Sequence, residues 1–176
     1  MAIHRLNHAV LYVRDVPRSV AFYRETLGFE VVHEIGGQAA FLRADGSTND
    51  HDLGLFQIGA QAGPSGAGRS TVGLYHLAWE VETLRDLEAL AGALAEAGAL
   101  AGASDHSTTK SLYGLDPDGL EFEIAWVVPA ALLDEVAIAG RAGIKPLDLA
   151  REIARYGADT PGGFGISRAV AAAPRP

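Results

Sequence analysis

Apolar and polar positions change period along this chain, and each change marks an element. Leu6 to Val13 (LNHAVLYV) is rich in β-branched and aromatic residues and predicts a strand. From Val16 to Leu27, apolar Val16, Val20, Phe22, Tyr23 and Leu27 recur near the helical repeat. Asp15 or Ser19 suits the start of that helix, Pro17 its first turn and Gly28 its stop. Strands are predicted at Phe29–Ile35, Ala39–Ala44 and His51–Gly59, with Gly36-Gly37 and Asp45-Gly46 as turns. Residues 60–70 (AQAGPSGAGRS) have the composition of a linker. The pattern then restarts. Leu74 to Val81 predicts a strand, and Leu84, Leu87, Leu90, Leu94 and Ala97 form a helical stripe ended by Gly98. Short strands follow around Leu100, at Leu112–Leu115 and at Glu121–Val128, with Asp116-Pro117-Asp118-Gly119 as the turn before the last.

The two halves match in detail. His8 and His76 each stand third in the first strand of their half, with Val13 and Val81 five residues further on. The helix-stopping glycine comes 20 residues after His8 and 22 after His76. A β-α-β-β-β unit of this size rarely buries a core alone. The expected fold is therefore α+β: two βαβββ modules, side by side, forming a half-open mixed β-barrel with helices outside. The boundaries are 1–60 for the first module, 61–70 for the linker, 71–128 for the second module and 129–176 for a C-terminal helical extension with a loose tail. Leu147, Leu149, Ala150, Ile153, Ala154 and Tyr156 mark an amphipathic helix starting near Pro146. It serves packing or a dimer contact, or else a lid over the site.

Composition narrows the chemistry. With 48% apolar and 20% charged residues the chain is expected to fold. A net charge of −8 disfavours nucleic acid and anionic membranes as partners. No apolar run approaches the roughly 20 residues of a membrane helix, and Arg5, Asn7, His8, Arg14 and Asp15 interrupt any N-terminal signal core. The expected location is cytoplasmic. The absence of cysteine removes disulfides, thiolate-bound zinc, iron–sulfur clusters and thiol nucleophiles together. Any metal site must draw on carboxylates and six histidines. No phosphate-binding glycine or P-loop lysine motif is present, and Ser167 has no nucleophile setting.

Strand parity assigns faces. In Leu74–Val81, Tyr75, Leu77, Trp79 and Val81 make a bulky face expected to meet the helices, and His76 points the other way. In Glu121–Val128, Phe122, Ile124 and Trp126 make the apolar face and Glu123 lies opposite. His76 and Glu123 then share the concave side, and by the repeat so does His8. Two imidazoles and one carboxylate from separate strands make a facial triad suited to Fe(II), Mn(II) or Zn(II), with open positions left over. A strand His alone is more often a hydrogen-bonded core residue, and a buried strand Glu is harder to dismiss because an unpaired buried carboxylate is costly; together, at equivalent places in a repeat, the three point to a metal. His4 lies about 13 Å along the strand from His8, too far to share that metal, and His33 reads as a surface or structural residue.

Over about residues 4–128 the chain resembles the vicinal oxygen chelate superfamily, and within it the type I extradiol dioxygenases of the catechol 2,3-dioxygenase group. The motifs that carry the resemblance are LNHAVLYVRDVPRSVAFYRETLGFEVV, NDHDLGLF, GLYHLAWEV, GASDHSTTKSLYGLDPDG and LEFEI. The resemblance implies metal ligands at His8, His76 and Glu123, and Fe(II) as the ion, with Mn(II) accepted by the same set. It further implies an acid–base residue at His51, a second histidine near the substrate oxygen at His106, and a catalytic tyrosine at Tyr113, ten residues before the glutamate. The implied partners are a small aromatic diol and O2, and the protein is expected to be a homodimer or higher homo-oligomer. Two departures bear on substrate preference: Leu120-Glu121-Phe122 after the Asp-Pro-Asp-Gly turn, and Lys110 where relatives often carry an acidic residue. Three rival functions remain. A glyoxalase-type isomerase would take a second carboxylate from the first module's last strand, which offers only Asp52, facing away from His51 by parity. A fosfomycin-type thiol transferase would leave His51, His106 and Tyr113 without evident use. A metal-free drug-sequestering protein would not need the triad.

Overall fold

The computed structural model describes residue 3 and residues 5–67 and 70–166. His4, Ser167 and the closing segment 169–176 lie outside the described residues. Two compact units emerge: Met1–Thr71 with Asp116–Leu120, and Val72–Leu115 with Glu121–Pro176.

The first unit holds β1 (Ala9–Val13), α1 (Val16–Glu25), β2 (Glu30–Ile35), β3 (Ala39–Arg43) and β4 (Leu53–Gln57), with its sheet ordered β1-β4-β3-β2. The second holds β5 (Leu77–Glu80), α2 (Leu84–Glu96), β6 (Leu100–Asp105), β7 (Thr109–Leu115) and β8 (Glu121–Val127). Its sheet runs β5-β8-β7-β6 and then adds β9 (Lys145–Pro146) beside β6. In both sheets the first strand pairs parallel with the last and the other neighbours are antiparallel. The mixed α+β repeat legible in the sequence is thus present strand for strand. No helix among the described residues is long and apolar enough to cross a membrane.

Local chemistry explains the helices. Asp15 caps α1 by accepting from the Arg18 N–H, with Pro17 in the first turn. The helix turns Val16, Val20 and Tyr23 into a core with Leu11, Val13, Leu42, Leu53 and Leu55. Thr83 and Asp86 cap α2 reciprocally, and its leucines 84, 87 and 94 are fully buried. Gly28 and Gly98 follow the two helices with φ of 75° and 64°, where a side chain would be strained.

Three expectations change. Both first strands start later than predicted, because ladder pairing begins at Ala9 opposite Leu53 and at Leu77 opposite Phe122. His8, His51 and His76 therefore precede strands rather than lying within them. Tyr75, outside the ladder, is 65% exposed instead of packing under a helix. Beyond β8 lie a 3₁₀ turn at Ala130–Leu132, α3 (Glu135–Gly140) and α4 (Leu149–Tyr156), of which only α4 was expected. In α4 the inward positions are Leu149, Glu152, Ile153 and Tyr156, whereas Ala150 and Ala154 face outward. The fully buried one is the glutamate.

The 116–120 turn is held by charge. Asp118, with its side chain 6% exposed, accepts from the Arg14 N–H and pairs with the guanidinium groups of Arg14 at 2.9 Å and Arg18 at 2.7 Å. Burial alone would raise this carboxyl, but the Arg14 hydrogen bonds and the Arg18 charge hold it below its ordinary value. A depressed folded pKa stabilises the fold above the unfolded value of about 3.9, and that contribution is lost as pH falls through the folded value. Asp118→Asn should cost about 2 kcal/mol at neutral pH. In urea melts at descending pH, the gap between parent and variant should close in the acid range.

Candidate metal centre

The second sheet presents one face to the helices and the other to the candidate site. Phe122, Ile124 and Trp126 of β8 are buried on the helix side, and Glu123 emerges opposite, partly buried. In the β7–β8 ladder Tyr113 stands directly across from Glu123, so both side chains share a face. Ala78 pairs with Glu123 from the other flank, and His76, two residues earlier, has the same parity.

These placements converge. His76 Nε2 lies 3.1 Å from Glu123 Oε2, and His76 Nδ1 lies 3.9 Å from Glu121 Oε1. The Tyr113 ring centre is 6.0 Å from that of His76. The Tyr113 hydroxyl is in turn 3.0 Å from His106 Nε2, close enough for one hydrogen bond. Burial, followed by the Glu123 charge and Tyr75, raises the Tyr113 pKa. It therefore stays a neutral phenol through the physiological range and keeps a proton to donate. His106 is delivered by the β6–β7 turn, in which Ser107 adopts a left-handed φ of 65° and its N–H is bound by the Asp105 carboxylate.

The first unit contributes a separate pair. The His8 and His51 rings lie 4.6 Å apart, with Phe41 edge-on to His51 at 5.0 Å. His8 Nδ1 donates to Asn7 Oδ1 at 2.7 Å and His51 Nδ1 meets Asp50 Oδ2 at 2.9 Å. Each bond fixes a ring and leaves Nε2 as the outward nitrogen. Asp52, by contrast, is consumed by structure. Its carboxylate accepts from the Ala44 N–H, the Ser47 hydroxyl and the Asn49 amide, which pins the loop between β3 and β4. His33 is exposed and stacks on Phe41 at 6.4 Å.

Of the six residues singled out from sequence, His76, Glu123, Tyr113 and His106 thus form one chain of contacts, and His8 and His51 form another. Among the described residues no group of three or more His, Asp or Glu side chains gathers to hold a metal ion. The His76–Glu123 pair nonetheless fits one. Two ligands each about 2.1 Å from an ion and at right angles stand about 3 Å apart, as Nε2 and Oε2 do. His76 Nδ1 is buried without a hydrogen bond and faces Glu121, the kind of outer carboxylate that orients a ligating imidazole.

Two expectations need amending here. Lys110 shares parity with the helix-side residues and pairs across from Trp126. It does not line the Glu123 face, so it does not act on substrate preference by contact. Glu121, read above only as part of a departure bearing on substrate preference, lies beside His76.

Residues 5–124 match the family model described as Glyoxalase/Bleomycin resistance protein/Dioxygenase superfamily. A protein named catechol-2,3-dioxygenase from Bacillus subtilis is 32% identical over 122 residues, which is 68% of this chain and 40% of that protein. Metapyrocatechase 2 from Cupriavidus necator is 29% identical over 94 residues, or 53% of this chain and 26% of its own length. The chain therefore spans less than half of either curated relative. A glyoxylase/bleomycin resistance protein/dioxygenase domain from Frankia sp. EAN1pec superposes with a TM-score of 0.59 at 25% identity, covering 70% of this chain and 92% of that one. With its paired βαβββ topology and a family match over most of its length, the chain belongs to the glyoxalase/bleomycin resistance protein/dioxygenase superfamily.

Proposed function

We propose that this protein is an extradiol ring-cleaving dioxygenase acting on a catechol-type diol. The observation that carries the proposal is the contact chain from His76 and Glu123 through Tyr113 to His106. A metal-ligand pair beside a neutral phenol and an imidazole suits a reaction that must bind a diol, remove its proton and stabilise an anion. The name of the Bacillus subtilis relative, catechol-2,3-dioxygenase, supports the same choice. In this proposal the two sheets pair as a half-open barrel, His8 joins His76 and Glu123 around Fe(II) or Mn(II), and the protein works as a cytoplasmic homo-oligomer.

Such an ion, when bound, favours the anionic form of a diol and brings dioxygen within reach of it. The chain's own residues do the rest. His106 holds the substrate hydroxyl and takes its proton, the general-base role an imidazole within hydrogen-bond reach can play. Tyr113, kept protonated by its surroundings, donates a hydrogen bond to the oxyanion that develops as the ring opens. His51, its ring fixed through Asp50, moves protons on the oxygen side. Asp52, the carboxylate that the predicted last strand of the first module offers to the isomerase alternative, is committed to its loop.

The test is metal analysis coupled to a catechol screen in an oxygen electrode after anaerobic loading with Fe(II) or Mn(II). Oxygen uptake with a yellow ring-cleavage product is expected; turnover without oxygen, or tight drug binding by metal-free protein, would sink the proposal. Tyr113→Phe should keep the metal and lower kcat about 10²- to 10³-fold, as loss of one oxyanion donor does.

A further inference from the structure

Behind the Tyr113–His106 pair lies a buried charge cluster that the proposed reaction does not use. Lys110 is fully buried, and its Nζ lies 2.5 Å from Asp105 Oδ1 and 2.9 Å from Glu152 Oε2. It also donates to the Ser107 carbonyl at 3.3 Å. Glu152 comes from α4, beyond the repeat, and its side chain is 5% exposed. Asp105 and Ser107 flank His106. The same Asp105 oxygen that meets Lys110 accepts the Ser107 N–H at 2.7 Å, and this holds the left-handed residue in place. The turn closes with the His106 N–H on the Thr109 carbonyl and the Thr108 N–H on the His106 carbonyl. An unbroken line of contacts therefore runs from α4 through Glu152, Lys110 and Asp105 to the backbone that aims His106 at Tyr113.

We propose that Lys110 and Glu152 are positioning residues for the His106–Tyr113 pair, so that helix α4 sets the geometry of the proton-handling end of the site. The catalytic consequence rests on the dioxygenase proposal; the positioning does not. A left-handed backbone at a non-glycine residue persists only where its surroundings over-determine it. Asp105 is the group that does so here, and Lys110 is the cation that fixes Asp105. Lys110 and Glu152 are almost fully buried, so their charges interact strongly and hold each other in place.

A merely stabilising role and a positioning role part ways in the double variant Lys110→Met/Glu152→Leu. Replacing Lys110 and Glu152 together removes the two fully buried charges, which limits the cost to stability, and leaves the part-exposed Asp105 without the cation that orients it. The expected result is a melting temperature above that of Lys110→Met alone, with the His106 Nε2 resonance in 15N NMR shifted from its Tyr113-bonded position. On a catechol, kcat should fall at least tenfold with KM within twofold. An unchanged His106 resonance would overturn the inference. Should the double variant fail to fold, Glu152→Gln decides in its place. It keeps the shape and one acceptor for Lys110 but no charge, so a smaller shift of the same resonance is expected, and no shift overturns the proposal. The NMR readout needs neither metal nor substrate. A parent protein inactive on catechols would overturn the proposed function and leave this result to stand or fall alone.

Discussion

Glu123→Ala is expected to strip the protein of its metal and of ring cleavage together, with turnover down by well over 100-fold. Loss of an outer-sphere partner alone costs about 10- to 100-fold in metal affinity or activity, and Glu123 is proposed as a direct ligand. The carboxylate supplies the negative charge of a set whose other members are neutral imidazoles. Without it, Glu121 at 3.9 Å is the acidic neighbour left to His76 among the ion pairs of the described residues. Stability should not fall, because the removed charge is partly buried and has no guanidinium or ammonium partner among the ion pairs of the described residues. His76→Ala should give the same paired loss. Metal content by atomic emission and thermal melting, measured on the same sample, check both statements. Retention of stoichiometric metal by Glu123→Ala would remove it from the ligand set.

Lys110→Met should be the most destabilising single change. It leaves two carboxylates, Asp105 and Glu152, facing a buried thioether where an ammonium stood. Removing one partner of a buried pair costs about 3–5 kcal/mol because the survivor's charge is left uncompensated. For a chain of this size that is a fall of roughly 10 °C in melting temperature. Burial would raise the Asp105 carboxyl, but the hydrogen bonds from Lys110 and the Ser107 N–H hold it below its ordinary value. In the single variant Asp105 should therefore take up its proton at a higher pH than in the parent, and part of the lost stability should return on acidification. Chemical denaturation at two pH values would reveal this; equal stability in parent and variant would count against it.

The sequence revealed the repeat because its information is local. Asp15, Thr83, Gly28 and Gly98 mark helix ends through their own backbone chemistry. The alternation in Glu121–Val127 separates Glu123 from Phe122, Ile124 and Trp126, as found. Tyr113 opposite Glu123, by contrast, follows from ladder register, which alternation in one strand restricts to the right face but not to the right partner. His8 and His76 precede the paired residues because ladder pairing begins at Ala9 and Leu77, a limit set across the sheet rather than by the edge strand's own residues. Lys110 was legible as an unusual residue but not as a buried one, since its partner Glu152 is 42 positions away in an amphipathic helix read for its apolar stripe alone. The short helix α3 was missed although Asp134 signalled its start by the same capping chemistry as Asp15.

The turn 116–120 has a bearing on how such a duplicated chain can be taken apart. It lies between β7 and β8 in the sequence, yet it is clustered with the first seventy-one residues, and Arg14 and Arg18 bind Asp118 there. A cut in the linker would leave the N-terminal fragment with two unmatched cations and the C-terminal fragment with a hairpin missing its anchor. Neither piece would be a self-sufficient product, and half-genes exchanged between relatives would have to carry arginine and aspartate together.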